Sequence, residues 1–229
     1  MKVFDRASLS EQVELALKDE IMGGRMLPGQ RINVSDFQAA WKVSSTPFRD
    51  ALRSLEIQGF VTVEARKGVY VASLDQQTVS EIFDLRIALE CMAIERSTPV
   101  VPEEEAQRVL GVYLDAQAAS ANGDTAVIAQ GDRLVHELAY AYCQNTRLQK
   151  ALSSHNELIR WAQAMIVRKQ SNAYLLALPE HIAIMRAVCA RDPQAAALAM
   201  RAHLENSRER LRLHIDSSGM SSDNSSVYS

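Results

Sequence analysis

The stretch that most narrows the possible folds runs from Val43 to Phe60 and reads VSSTPFRDALRSLEIQGF. Ser44 is an N-cap residue type, and Pro47 falls in the first helical turn, where its missing N–H costs nothing, so a helix starts here. Phe48, Ala51, Leu52 and Leu55 recur at helical spacing and face a core, while Ser45, Thr46, Arg49 and Arg53 take the other side. Gly59 then offers a left-handed stop. Hydroxyls at a helix N-terminus grip phosphate and arginine forks onto guanine O6 and N7, so this short basic face suits the major groove. Taken alone, the pattern describes a solvated helix face equally well, and the flanking segments decide between the two.

Upstream, Ser8-Leu9-Ser10-Glu11 is a capping box, followed by Val13, Ala16, Leu17 and Ile21 on one helical face and by Gly23-Gly24 as a stop. Pro28-Gly29 marks a turn, after which Ser35 is the expected cap of a second helix carrying Phe37, Ala40 and Trp41. Lys42 alone separates that helix from the Val43 segment, which predicts a helix-turn-helix. Downstream the period changes from helical to alternating: Val61 and Val63, then Val69 and Val71, flank Ala65-Arg66-Lys67-Gly68. A hairpin in that position is a wing, with Arg66 and Lys67 at its tip able to reach phosphate or the minor groove and Gly68 permitting the reversal.

Charge supports a localised contact. The chain of 229 residues carries a formal net charge of −3, which argues against indiscriminate coating of nucleic acid. Residues 25–74 nevertheless hold seven Lys/Arg against four acids, whereas residues 75–229 hold fifteen against nineteen. No apolar run approaches the ~20 residues of a membrane span, and Met1-Lys2-Val3-Phe4-Asp5 lacks the apolar stretch of a signal peptide; a cytoplasmic protein is expected. Cys91, Cys143 and Cys189 each lie in an apolar helical pattern and read as buried thiols.

Residues 9–72 resemble the winged-helix domain of the GntR family of bacterial transcription regulators. The family's Pro-Gly turn, its VSRTPVREAL recognition helix and its GxxV wing appear here as Pro28-Gly29, Val43 to Leu52 and Gly68 to Val71. The resemblance implies contact with double-stranded operator DNA through Lys42, Ser44, Ser45, Thr46, Arg49, Arg53, Arg66, Lys67 and Gly68. There are two departures from the family pattern. Ser45 stands where arginine is usual, which removes a base or phosphate contact. Lys42 stands where glycine is usual; if that turn residue has positive φ, lysine costs about 1 kcal/mol relative to glycine and adds a cation.

After the polar linker Asp75-Gln76-Gln77-Thr78 the pattern is helical throughout, without a strand signal. The expected helices are a long one through Ile82, Leu85 and Met92, then Glu103 to Ala121, Asp124 to Cys143, Leu148 to Lys169, Leu178 to Arg191, and Pro193 to about His214. The fold class is therefore mainly α: an N-terminal winged helix-turn-helix over 1–75 and a C-terminal antiparallel helical bundle over 76–216. The Ser/Asp/Asn/Gly-rich stretch 217–229 reads as a disordered tail.

Asp132 and His136 are four apart on one helix and project from one face, while a helical hairpin turning at Asp192-Pro193 brings His181 level with His203. Three imidazoles and a carboxylate suit a divalent transition metal such as Zn, Ni, Fe or Mn. Three unrelated histidines on amphipathic helices fit the same spacing. His155 and His214 lack such partners and read as surface residues. Gly131 to His136, Asn145, Glu180-His181-Ile182 and Ala202-His203-Leu204 resemble the FCD-type effector domain of the FadR branch of GntR regulators, over roughly residues 78–210. That resemblance implies Asp132, His136, His181 and His203 as metal ligands, a small carboxylic acid as effector with Arg86 and Asn145 at its site, and a homodimer. Arg86 and Glu90 match a pair common in that domain; as residues four apart they fit a surface ion pair equally well. The expected function is a ligand-responsive regulator, more readily a repressor. A metal-dependent enzyme built on the Asp/His site is the rival from another class, and a purely structural metal is a third reading.

Overall fold

A computed structural model of the chain describes residues 8–121, 133–167 and 173–217. Two compact units are present, residues 1–74 together with 158–165, and residues 75–157 together with 166–229.

In the first unit, α1 (Leu9–Met22) begins at a complete capping box, Ser8 accepting from the Glu11 backbone and Glu11 reaching back to the Ser8 N–H at 2.6 Å. α2 (Val34–Trp41) starts one residue before the expected cap: Asn33 takes the cap position, and Ser35 lies inside the first turn with its hydroxyl on Asn33. α2 ends on Lys42, whose φ of 55° and ψ of 41° place it in the left-handed region, and α3 (Ser45–Ile57) follows. Phe48, Ala51, Leu52 and Leu55 form the buried stripe of α3, as their spacing predicts. The rings of Phe37, Trp41 and Phe48 stand 4.9 to 6.5 Å apart and fix α2 against α3.

The wing is β2 (Val61–Glu64) and β3 (Gly68–Val71), antiparallel, with Val61 opposite Val71 and Glu64 opposite Gly68. A two-residue strand β1 (Arg31–Ile32), too short to show alternation in sequence, pairs on the other side of β3 and gives the order β1-β3-β2. Leu17, Ile21, Phe48, Leu55 and Phe60 are fully buried in this unit's core. Trp161 and Ala162, from the 158–165 segment, complete it, the Trp161 ring 5.8 Å from that of Phe60. The sequence reading placed those residues with the C-terminal domain, and nothing in their local pattern distinguishes them.

The second unit is built on α4 (Gln76–Ser97), α5 (Glu103–Ala121), α6 (Leu134–Tyr142), most of α7 (Thr146–Val167), α8 (Ala173–Cys189) and α9 (Pro193–Ser217). The expected linker is helical: Asp75 caps α4 by accepting from the Thr78 N–H at 2.8 Å. α8 begins at Ala173 rather than Leu178 and runs through Pro179. α9 packs on α4 and α8, α6 on α4, and α5 on α8. The core between them includes Val79, Phe83, Ile94, Tyr113, Ile184, Met185, Met200 and Leu204. Arg191, with φ of 58°, turns the chain between α8 and α9 and donates to the carbonyls of Thr98 and Val101, so the hairpin that aligns His181 with His203 is tied to the α4–α5 turn. Cys91 and Cys143 are buried and Cys189 half-buried, all as free thiols. No helix among the described residues is long and apolar enough to cross a membrane. Asp124, Asp132 and the predicted tail from residue 218 onward lie outside the described residues.

Candidate metal centre and nucleic-acid interface

The basic face of the first unit frames a groove. Thr46, Arg49 and Arg53 of α3 line one wall and Val63 and Val69 of the hairpin the other, with Asp50 and Glu56 also present. Ser44, Ser45, Thr46, Arg49 and Arg53 are all exposed. Ser44 occupies the N-cap position of α3 but its hydroxyl makes no capping bond, and the first turn holds no acid. The open N–H groups and the exposed hydroxyls of Ser44, Ser45 and Thr46 make this helix end receptive to an anion. Lys42 is exposed immediately before it.

At the wing tip Arg66 and Lys67 are exposed, with Arg66 in the left-handed region at φ 65°. The reversal therefore uses Arg66 as well as Gly68, whose φ is 139°. Lys67 pairs with Glu64 at 3.2 Å, so its charge is shared with a neighbour. Arg31 lies in β1, which is too short to leave a pattern in the sequence. Its guanidinium lies against Gly68, where an added Cβ would sit 3.1 Å from Arg31 Nε.

In the second unit His136 of α6, His181 of α8 and His203 of α9 meet inside the bundle, all three buried. Each offers a ring nitrogen within 4.8 Å of the others. His181 Nε2 and His203 Nε2 stand 3.4 Å apart. Two nitrogens each bound about 2.1 Å from one tetrahedral ion are separated by roughly that distance, so the residues present fit a divalent transition metal. The sequence-predicted fourth ligand, Asp132, lies outside the described residues.

Two carboxylates back the imidazoles. Glu90, fully buried on α4, accepts from His136 Nδ1 through Oε2 and from Arg86 Nε through Oε1, at 2.5 and 2.7 Å. Glu180 contacts His203 Nδ1 at 2.8 Å and is itself gripped by both Nη atoms of Arg210 and by Asn206. Burial by itself would raise both acids, but the cationic and hydrogen-bonding partners prevail: Glu90 lies far below the usual carboxylate range, and Glu180 is lowered to about 2. Burial, reinforced by the neighbouring imidazoles, holds His181 well below its ordinary value and His203 at about 4. Tyr140, one turn after His136, is pushed up by burial and by Glu90, so its hydroxyl stays protonated.

Arg86 is thus no surface residue. Its side chain is buried over the Phe83 ring, and its Nη1 has no hydrogen-bond partner among the described residues. A buried, unpaired guanidinium N–H calls for an acceptor. Asn145 departs from the expectation: its Oδ1 accepts from the Arg147 and Leu148 N–H groups at 3.1 Å and caps α7, which commits that oxygen to the helix. His155 is half-buried, its Nδ1 on the Ala151 carbonyl, and the side chain of His214 lies outside the described residues. The carboxylates behind the histidines, Glu180 above all, were not assigned a role in the sequence. The one local sign was an acid directly preceding His181, and its Arg210 partner is thirty residues away.

Residues 81–206 match the FCD domain, and residues 9–71 match the family described as bacterial regulatory proteins, gntR family. The uncharacterized HTH-type transcriptional regulator YdhC of Bacillus subtilis (strain 168) is 31% identical over 198 residues, covering 86% of this chain and 88% of its own. The Nta operon transcriptional regulator of Aminobacter aminovorans is 29% identical over 178 residues, with 78% and 82% covered. Among solved structures, the transcriptional regulator GntR from Rhodococcus sp. RHA1 shares the fold, with a TM-score of 0.67 at 20% identity over 89% of this chain and 97% of that one.

Proposed function

The chain belongs to the gntR family of bacterial regulatory proteins and carries an FCD domain, and from that premise we propose that it is a dimeric operator-binding repressor. Its DNA affinity answers to a small carboxylic acid held at a metal centre in the helical domain. The observation that carries this reading is the meeting of three buried imidazoles, one of them, His136, joined through Glu90 to Arg86, whose Nη1 is buried and unpaired among the described residues.

In this reading residues 1–75 contact DNA and residues 76–216 hold the metal and effector and form the dimer. Ser44, Ser45 and Thr46 seat α3 on phosphate, Arg49 and Arg53 read base edges, and Lys42, Arg66, Lys67 and the Gly68 backbone grip the flanking backbone. Each winged helix covers only a few base pairs, so two-fold pairing on a pseudo-palindrome supplies the missing specificity. A dimer seated on a promoter blocks it by occupancy, which needs no further contact; hence repression. Such a protein works at DNA in the cytoplasm.

His136, His181 and His203, with Asp132 as fourth, hold the ion, a Zn, Ni, Fe or Mn dication. When bound, it supplies a Lewis-acidic anchor for a carboxylate oxygen. Arg86 offers Nη1 to the same carboxylate, a charge-assisted bond whose strength rises with exclusion of water. Effector binding changes DNA affinity only insofar as the acid prefers one arrangement of the dimer over the other. Asn145 is left out of the effector site because its oxygen caps α7.

Elemental analysis of the purified chain, calorimetry with a panel of small mono- and dicarboxylic acids, and operator gel shifts on wild type and His181→Ala test the proposal together. It requires metal in the wild type, acid binding that weakens the operator complex, and loss of both metal and acid response in His181→Ala with DNA binding kept. A metal-free wild type removes the centre. Acid binding that persists in the demetallated variant removes the anchor role, and thermal destabilisation without any acid binding assigns the ion to structure alone.

A further inference from the structure

Three nitrogens can share one ion only if each turns a lone pair toward it. A neutral imidazole has two tautomers, and which is adopted is set by the hydrogen bond the other nitrogen makes. At His136 and His203 the other nitrogen, Nδ1, faces a carboxylate, Glu90 or Glu180. Each of those carboxylates is itself bound by an arginine, Glu90 by Arg86 at 2.7 Å and Glu180 by Arg210 at 2.8 and 2.9 Å. An ionised carboxylate only accepts, so in both contacts Nδ1 must carry the proton. The proton-free nitrogen is then Nε2, the atom through which His203 approaches His181.

We propose that Glu90 and Glu180 are positioning residues of the metal centre, each taking the Nδ1–H of one imidazole and so fixing the tautomer and ring plane that present Nε2 to the ion. This rests on the reading of the three histidines as metal ligands. The two clamps are built separately. Glu90 of α4 reaches across to His136 of α6, with Arg86 on its second oxygen. Glu180 of α8 reaches to His203 of α9, with Asn206 and Arg210 of α9 returning the contact. Since Glu180 directly precedes His181, one turn of α8 supplies both a ligand and the support of another ligand. The arginines act one step further back: they keep the carboxylates ionised and oriented, as outer partners of a ligating histidine do in general.

The test uses the full-length metal-free chain titrated with Zn2+ alone in competition with a chelator. Glu180→Gln and Glu90→Gln each keep an acceptor oxygen but lose the charge, and are expected to weaken Zn2+ binding about tenfold, with Glu180→Ala nearer a hundredfold. Circular dichroism checks that each variant is folded. Because Glu90 is wholly buried, its variant is the one at risk, and Glu180→Gln carries the test if Glu90→Gln does not fold. A measurement independent of metal uses 15N-labelled histidine in the metal-free wild type at pH 8, where His136 and His203 are expected with the proton on Nδ1. An Nε2–H tautomer at both overturns the proposal. So does Zn2+ affinity unchanged in folded Glu180→Gln while the wild type binds, and that outcome leaves the metal reading standing. A wild type that takes up no Zn2+ overturns the metal reading and this proposal with it.

Discussion

Arg86 gives its Nε–H to Glu90 at 2.7 Å, inside the bundle, and leaves Nη1 buried without a partner among the described residues. An i,i+4 pair on a helix surface would spread its donors into water. Here α9 and α6 pack on α4 and the pair is buried, so a donor without a partner stays away from water. Arg86→Lys keeps the charge beside Glu90 but loses the planar fork. The expected outcome is a folded protein that retains metal and binds carboxylic acids about 10- to 100-fold more weakly, the range of one hydrogen bond to a charged group. Calorimetry on metal-loaded protein measures it, and unchanged acid affinity removes Arg86 from the effector site.

Arg49 lines the groove between α3 and the wing and is exposed, and the proposed function has it read a base edge. Arg49→Ala should cost ~1–3 kcal/mol of specific operator binding, with a smaller loss on random DNA. Gel-shift titrations on both DNAs check this, and equal losses on the two would reassign Arg49 to phosphate.

Ser45 is the first residue of α3 and exposed, but too short to make a bidentate base contact. Ser45→Arg is expected to change base preference at the pair beneath it in each half-site. Selection from a randomised library with both proteins reads this directly; identical preferences would show that position 45 does not face a base.

Lys42 holds the left-handed conformation that the helix-turn-helix requires, at φ 55°. Lys42→Gly should stabilise the winged helix by up to about 1 kcal/mol, seen as a rise in Tm. If Lys42 touches phosphate, the same variant lowers the slope of operator affinity against salt by about one ion. The two readouts separate backbone strain from DNA contact.

In metal-stripped protein His203 is held at about 4 by burial, while in the unfolded chain it titrates near its ordinary 6.5. Between those values the unfolded state binds more protons, so stability rises with pH through this window and falls as pH drops from about 6.5 toward 4. His181, shifted in the same direction, adds to the effect. Thermal melts of the metal-free chain from pH 8 to pH 4 should show Tm falling across that interval. A flat profile would mean that the imidazoles are not buried as described.

Much of the first unit could be read before any coordinates. A capping box at Ser8 and Glu11, a proline in the first turn of α3, a period-3.6 stripe at Phe48, Ala51, Leu52 and Leu55, and a switch to period 2 at Val61 are local signals, and local structure follows them. The cap of α2 slipped from Ser35 to Asn33 because adjacent polar residues compete for one role. β1 gave no signal, since pairing with β3 and not its own sequence makes Arg31-Ile32 a strand.

The candidate metal centre divides the same way. By itself the sequence determined that His136, His181 and His203 lie on helices of one bundle and that the Asp192-Pro193 turn allows two of them to meet. Helical periodicity and a turn residue act over a few positions and are written in those positions. Only the tertiary structure decided that Arg86 and Glu90 point inward, that Glu180 stands behind His203, and that Asn145 spends its oxygen on a helix cap. Spacing along a helix says which residues share a face. Whether that face meets water or another helix depends on burial against segments tens of residues away, and no local pattern encodes it.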